Sequence, residues 1–124
     1  AHAPSATSLP SASLDLSSLS IPETLGHVAQ TWQPQDQPPR GFVIHLQDLH
    51  VHPDAQRHLS ELIGYLHDHW GISLVAVEGA SGLCDTALYS DFPDPPSTER
   101  IAKLFLKEGL FTGSEHYAIT HRGP

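Results

Sequence analysis

The stretch from Gly41 to Val77 constrains the fold most, because its apolar pattern changes from strand-like to helix-like and back. Residues 41–46 form a short apolar run typical of a strand that is covered on both faces. From Pro53 to Trp70, apolar residues recur every three or four positions, which predicts an amphipathic helix capped by Gly71. Residues 72–77 form a second run of the buried-strand type. We therefore predict an α/β fold built on a parallel β-α-β core.

Three more helices are predicted around this core. The first begins at Ser20, where a Ser-Ile-Pro-Glu capping box precedes apolar residues that end at Trp32. The other two cover about 98–108 and a short stretch that begins near Thr112.

The chain divides into a flexible Ser/Ala/Pro-rich leader, residues 1–19, and an α/β domain, residues 20–124. Two strands are few for a parallel sheet, because an unpaired edge is a liability. We therefore expect the domain to be the N-terminal part of a larger one, or a protein partner or second subunit to cover the sheet edge.

Composition narrows the possible partners and the location. A net charge of -8 with only 6 Lys and Arg argues against nucleic acid, which is bound mainly by clustered basic residues. No apolar run approaches the roughly 18 residues that a membrane span requires. The small residues around Ala1 to Pro4 resemble a signal-peptide cleavage region, which favours an exported protein.

Ligand-type side chains follow both predicted strands. Asp48, His50 and His52 come directly after the first strand and project to one side if the backbone stays extended. Glu78 closes the second strand, and adjacent parallel strands would bring it to the same edge. These four residues suit a divalent metal such as Zn, Mn, Fe or Co, whereas His50 and Glu78 could instead act as a catalytic acid/base pair.

Structural roles compete with these assignments. Glu78 can cap the following turn, and His52 can simply mark the start of the helix. His45 lies inside the first strand, where a hydrogen-bonded core histidine is the favoured interpretation. Glu115, His116 and Tyr117 can return toward the same edge, but no spacing ties them to Asp48. The single cysteine, Cys84, has no adjacent base and is not predicted to be a nucleophile.

The segment from Val43 to Gly79 resembles the opening of the erythromycin esterase, ChaN and Tiki superfamily. There, a first strand ends in a Gly-Glu-x-His type motif and a second strand ends in Glu; residues 47–50 (Gln-Asp-Leu-His) and 77–79 (Val-Glu-Gly) stand at those places. Residues 44–56, 78–82 and 109–119 also resemble uncharacterised bacterial proteins with the pattern IQDxH…EAQ…VEGxxG…GxxxGxEY.

The resemblance implies an α/β domain of about twice this length, with hydrolytic, metal-dependent proteolytic and haem-binding members. Asp48 stands where the superfamily has Glu, which shortens the acid by one methylene. A rival resemblance, ranked lower, links residues 48–52 (Asp-Leu-His-Val-His) to the first metal motif of the PHP and amidohydrolase barrels.

Two functions are therefore predicted. The first is a hydrolase-like α/β domain with a His/Asp/Glu metal or acid/base site, in which haem is the less favoured cofactor. The alternative is a non-catalytic accessory or structural subunit that docks on a larger assembly.

Overall fold

The computed structural model describes residues 16–37, 41–91 and 93–121. Within these ranges the regular elements are a 3₁₀ turn at Leu16–Ser18 and four helices, α1 (Pro53–Trp70), α2 (Ala87–Ser90), α3 (Pro95–Lys107) and α4 (Gly113–Thr120). The first fifteen residues of the predicted leader lie outside the described residues. No helix in the described ranges is long and apolar enough to cross a bilayer.

The predicted α/β fold with its β-α-β core is wrong, because the described residues contain helices and no strand. Residues 41–49, named here the first extended segment, and residues 72–77, the second extended segment, carry no regular secondary structure. No backbone hydrogen bond joins them to each other within the described ranges. A pair of short strands is marginally stable without a third strand or a packed face, which accounts physically for the failed prediction.

Helix α1 was predicted correctly in both position and inner face. Leu62, Ile63 and Leu66 are buried, as the apolar stripe requires. Gly71 adopts a left-handed conformation with φ of 65°, and its N–H donates to the His67 carbonyl over 3.1 Å. A residue with a side chain would be strained in this conformation, so the sequence signal for the helix end is specific.

The two later helices also form where expected. Helix α3 begins at Pro95 rather than near Ser97, since prolines are tolerated in the first turn, where an N–H has no partner within the helix. Helix α4 starts after Thr112, whose side chain accepts from the Glu115 N–H while the Glu115 carboxylate accepts from the Thr112 N–H. This reciprocal pair is a capping box.

The helix predicted from Ser20 to Trp32 is reduced to a single turn. The N–H groups of Leu25 and Gly26 donate to the Pro22 carbonyl, and no regular helix follows. The intended apolar face is not buried, since Trp32 is 75% exposed. Helix nucleation is unfavourable, and a face without a packing partner does not offset it.

The core lies where α1, α3 and α4 meet. Ala102 and Ile119 are buried together with Phe111, and the half-buried Phe105 packs against them. The Phe105 and Phe111 rings meet edge to face with centroids 5.1 Å apart, and Tyr89 of α2 meets Phe111 in the same way at 5.0 Å. The short helix α2 is thus held to the bundle by its aromatic side chain.

Among the glycines of the described ranges, Gly113, the first residue of α4, lies closest to another element. A Cβ placed there would lie 2.3 Å from the Gln56 carbonyl oxygen and 2.8 Å from Leu59 Cβ. Those atoms belong to the first two turns of α1, so they cannot withdraw without distorting that helix. Only glycine allows α4 to start this close to α1.

We predict that Gly113→Ala destabilises the protein by roughly 1–3 kcal/mol, because the added methyl overpacks the α1–α4 contact. Urea unfolding followed by circular dichroism measures this loss. Gly64→Ala is the matched control, since its Cβ would meet only the Tyr117 ring, with Cε2 at 3.2 Å. In that variant the gain in helix propensity, about 1 kcal/mol, offsets the crowding. Equal losses in the two variants would contradict the steric explanation.

Candidate functional site

The first extended segment ends in a paired acid and imidazole. His50 Nδ1 lies 3.0 Å from Asp48 Oδ1. The Asp48 side chain is only 14% exposed, whereas the His50 side chain is 76% exposed. The carboxylate therefore faces the protein while the imidazole faces solvent, and the pair marks where the segment meets the helical bundle.

Gln56 holds this carboxylate from inside the bundle. The residue is almost completely buried in the first half of α1. Its Nε2 donates to Asp48 Oδ2 and, over 3.3 Å, to the Leu49 carbonyl. Its Oε1 accepts from the Gly113 N–H over 2.7 Å. One side-chain amide thus connects the first extended segment, α1 and the start of α4.

A second polar contact joins α1 and α4 one turn further along. Ser60 Oγ lies 2.8 Å from His116 Nδ1, and Ser60 is buried. The other ring nitrogen, His116 Nε2, is buried and has no hydrogen-bond partner among the described residues. Desolvation by burial is the main cause that lowers the pKa of His116, and electrostatic interactions with His121 and Lys103 lower it further.

A different group of imidazoles surrounds the exposed Asp68 near the end of α1. A hydrogen bond from His67 is the largest cause that lowers the pKa of Asp68, and the charges of His67, His69 and His121 add to it. The rings of His69 and His121 each stack on the tyrosine one turn earlier, with centroids 4.2 and 4.3 Å apart. These imidazoles lie at helix C-terminal ends, where positive charge is favoured.

The four predicted site residues do not converge. Asp48 and His50 are paired, but no ion pair or side-chain hydrogen bond joins them to His52 or Glu78 in the described ranges. Glu78 is exposed, and the His52 carbonyl accepts the Gln56 N–H at the start of α1. The assignment of catalytic roles to His50 and Glu78 stays a prediction.

The expectation of a metal-binding, hydrolase-like α/β site is corrected by the same geometry. Across residues 16–37, 41–91 and 93–121, no three His, Cys, Asp or Glu side chains are grouped closely enough to hold a metal. The reason is that the edge on which the four residues were expected to meet belongs to a sheet that does not form. Binding of a divalent metal or haem stays an untested prediction.

The sequence interpretation missed the residues that organise this region, namely Gln56, Ser60 and Gly113. Gln56 and Ser60 are spaced four apart and continue the inner face that Ile63 occupies, so a polar residue within the apolar stripe was the available signal. Gly113 follows another glycine, Gly109, by four residues. Nothing in the sequence indicates which of the two contacts another helix.

Comparison with models of protein families, with curated proteins and with solved structures finds no match to this chain. The resemblance to the erythromycin esterase, ChaN and Tiki superfamily therefore stays a prediction. The function must be argued from the geometry of the described residues.

We predict that Gln56→Leu destabilises the protein by about 1–3 kcal/mol, because it leaves the Gly113 N–H buried without an acceptor. The shape of the side chain changes little, so most of the loss comes from the missing hydrogen bonds. Urea unfolding measures it, and Gln47→Leu provides the matched control, since Gln47 is exposed. A loss of the same size in the control would show that the Gln56 bonds are not responsible.

Proposed function

We propose that this chain is a non-catalytic docking module that binds an extended strand of another protein along its first extended segment. The proposal follows the accessory-subunit hypothesis of the sequence analysis rather than the hydrolase hypothesis. It assigns the segment's exposed residues to recognition and its terminal polar residues to anchoring.

The observation that supports this proposal best is the alternation of exposure along the first extended segment. Phe42, Ile44 and Leu46 are half-buried, as is Asp48, while the residues between them are exposed, and Val43 is 94% exposed. This period of two is that of a strand with one covered face. Yet the backbone groups of residues 42–47 make no backbone hydrogen bond within the described ranges. A partner strand would supply these bonds, as in recognition by β-augmentation.

The second extended segment adds apolar surface of the same kind. Its side chains are exposed after Ile72, and Leu74 is 82% exposed. It follows the C-terminal end of α1, where the Ile72 N–H donates to the Leu66 carbonyl. Exposed apolar residues in a contiguous run are typical of interaction surfaces rather than of free protein surface.

The charge of the chain indicates which partner would bind. A net charge of -8 opposes association of two copies, because the like charges repel each other. The same charge attracts a basic partner and speeds its encounter. Exposed Glu78, directly after the second extended segment, would contribute to this attraction. We therefore assign the partner as a different protein, with an apolar strand flanked by lysine or arginine.

The polar residues at the segment's end support an anchoring role. Two of the acceptor sites on the Asp48 carboxylate face Gln56 and His50, and Gln56 is itself held by α4. A segment fixed at one end loses less conformational entropy when a strand pairs with it. The cluster thus prepares the segment for binding without requiring catalysis.

A synthetic strand tests the proposal. Fluorescein-labelled Lys-Thr-Val-Thr-Val-Thr-Val-Lys should bind the full chain saturably in a fluorescence anisotropy titration. A peptide of the same sequence with alternate amides N-methylated should not bind, because methylation removes the donors needed for strand pairing. Equal binding of both peptides, or binding of neither, would refute the proposal.

We predict that Val43→Asp weakens binding of this peptide by about tenfold, or about 1.4 kcal/mol, because the charge replaces an apolar cross-strand neighbour. Val51→Asp is the matched control, since Val51 is 92% exposed but lies outside the segment. It adds the same charge and should leave the affinity nearly unchanged. If both variants weaken binding equally, the effect is general electrostatics and the docking surface lies elsewhere.

A further inference from the structure

The contact between Ser60 and His116 contains an unmet hydrogen-bonding requirement. His116 Nδ1 is 2.8 Å from Ser60 Oγ, and His116 Nε2 is buried without a partner in the described part of the chain. In the neutral ring, Nδ1 and the Ser60 hydroxyl satisfy each other, and the unpartnered Nε2 carries no charge. In the protonated ring both nitrogens are donors, and a charged N–H at Nε2 would face no acceptor.

Charged groups on the surrounding elements do not remove this penalty. His121 of the same helix terminus and Lys103 of α3 disfavour the imidazolium, while Glu99 of α3 and Glu61 of α1 favour it. Helix α2, which also contacts α4, carries no charged side chain. Burial is the largest cause, and the pKa of His116 is lowered from its ordinary value of 6.5.

Because the pKa of His116 is lowered in the folded chain, acid decreases the stability of the folded state. The unfolded chain takes up the proton at about pH 6.5, whereas the folded chain resists it until a lower pH. The contribution of neutral His116 to stability is therefore fully present above about pH 6.5. It is lost as the pH falls through the lowered pKa of the folded state.

The contacts of α4 connect this imidazole to the first extended segment. Helix α4 packs mainly on α1, and its first N–H holds Gln56, which in turn holds Asp48. If α4 leaves α1, Gln56 Oε1 no longer accepts the Gly113 N–H, so the Gln56 amide is less firmly held. Its hydrogen bond to Asp48, which fixes the end of the segment, then weakens as well.

We propose that His116 is an acid-sensitive latch, whose protonation releases α4 from α1 and thereby lowers the affinity of the first extended segment for its partner strand. The regulatory part rests on the proposed docking function. The latch itself does not, because the movement of α4 is measurable without any partner.

Hydrogen exchange of the α4 amides tests the latch. After correction for intrinsic exchange rates, protection factors of the full chain should fall severalfold between pH 7.5 and pH 5, because the lowered pKa of His116 makes acid favour the open state. His116→Asn should keep its protection over this range, because the Asn amide can still bond Ser60 and does not titrate. His27→Asn is the control at an exposed histidine outside α1–α4, and it should lose protection as the original chain does.

A direct titration covers the case in which His116→Asn does not fold. The His116 ring of the original chain, followed by NMR, should titrate below pH 6.5. A midpoint at or above that value overturns the latch, as does an unchanged protection factor in the original chain at pH 5.

The regulatory part is tested with the same labelled Lys-Thr-Val peptide at both pH values. The original chain should bind it more weakly at pH 5 than at pH 7.5, and His116→Asn should show a clearly smaller change. The two proteins differ only at position 116, so any effect of pH on other residues or on the peptide is common to both. A loss of α4 protection with equal binding changes in both proteins overturns the regulation. A peptide that binds at neither pH refutes the docking function, while the exchange experiment still decides the latch.

Discussion

The close approach of α4 to α1 at Gly113 is the constraint on which the rest of the structure depends. It brings the Gly113 N–H to the Gln56 amide, and that amide in turn fixes Asp48 at the end of the first extended segment. It also sets the register that places His116 against Ser60. A buried polar contact of this kind is costly when only half satisfied, so the two helices are specified as a pair.

This constraint explains why one end of an otherwise unsupported segment has a defined position. Residues 42–47 of the first extended segment make no backbone hydrogen bond within the described ranges, and isolated strands have little stability of their own. Its inner row is half-buried, and its end is tied by Gln56. At this end of the segment, the helical bundle therefore supplies the order that a sheet would otherwise provide.

Local signals in the sequence predicted α1, α3 and α4, whereas α2 was missed and the helix predicted from Ser20 does not form. The relation between segments was not predictable from such signals. The left-handed Gly71 and the capping box at Thr112 are short-range features with a direct conformational cause. The two extended segments have the composition of buried strands, but strand pairing depends on which other segments lie beside them. Composition does not specify those neighbours. The same limit applies to the site, because convergence of Glu78 with Asp48 required that pairing.

The residues missed by the sequence interpretation share one property, which is that they are polar or small residues at a helix contact. Gln56 and Ser60 sit on the inner face of α1, where an apolar pattern treats them as interruptions. Their spacing acquires meaning only once α4 lies across them, because each then meets a group that needs its hydrogen bond. A polar residue that interrupts a strong apolar stripe is therefore better treated as half of a tertiary contact than as a weakness in the helix.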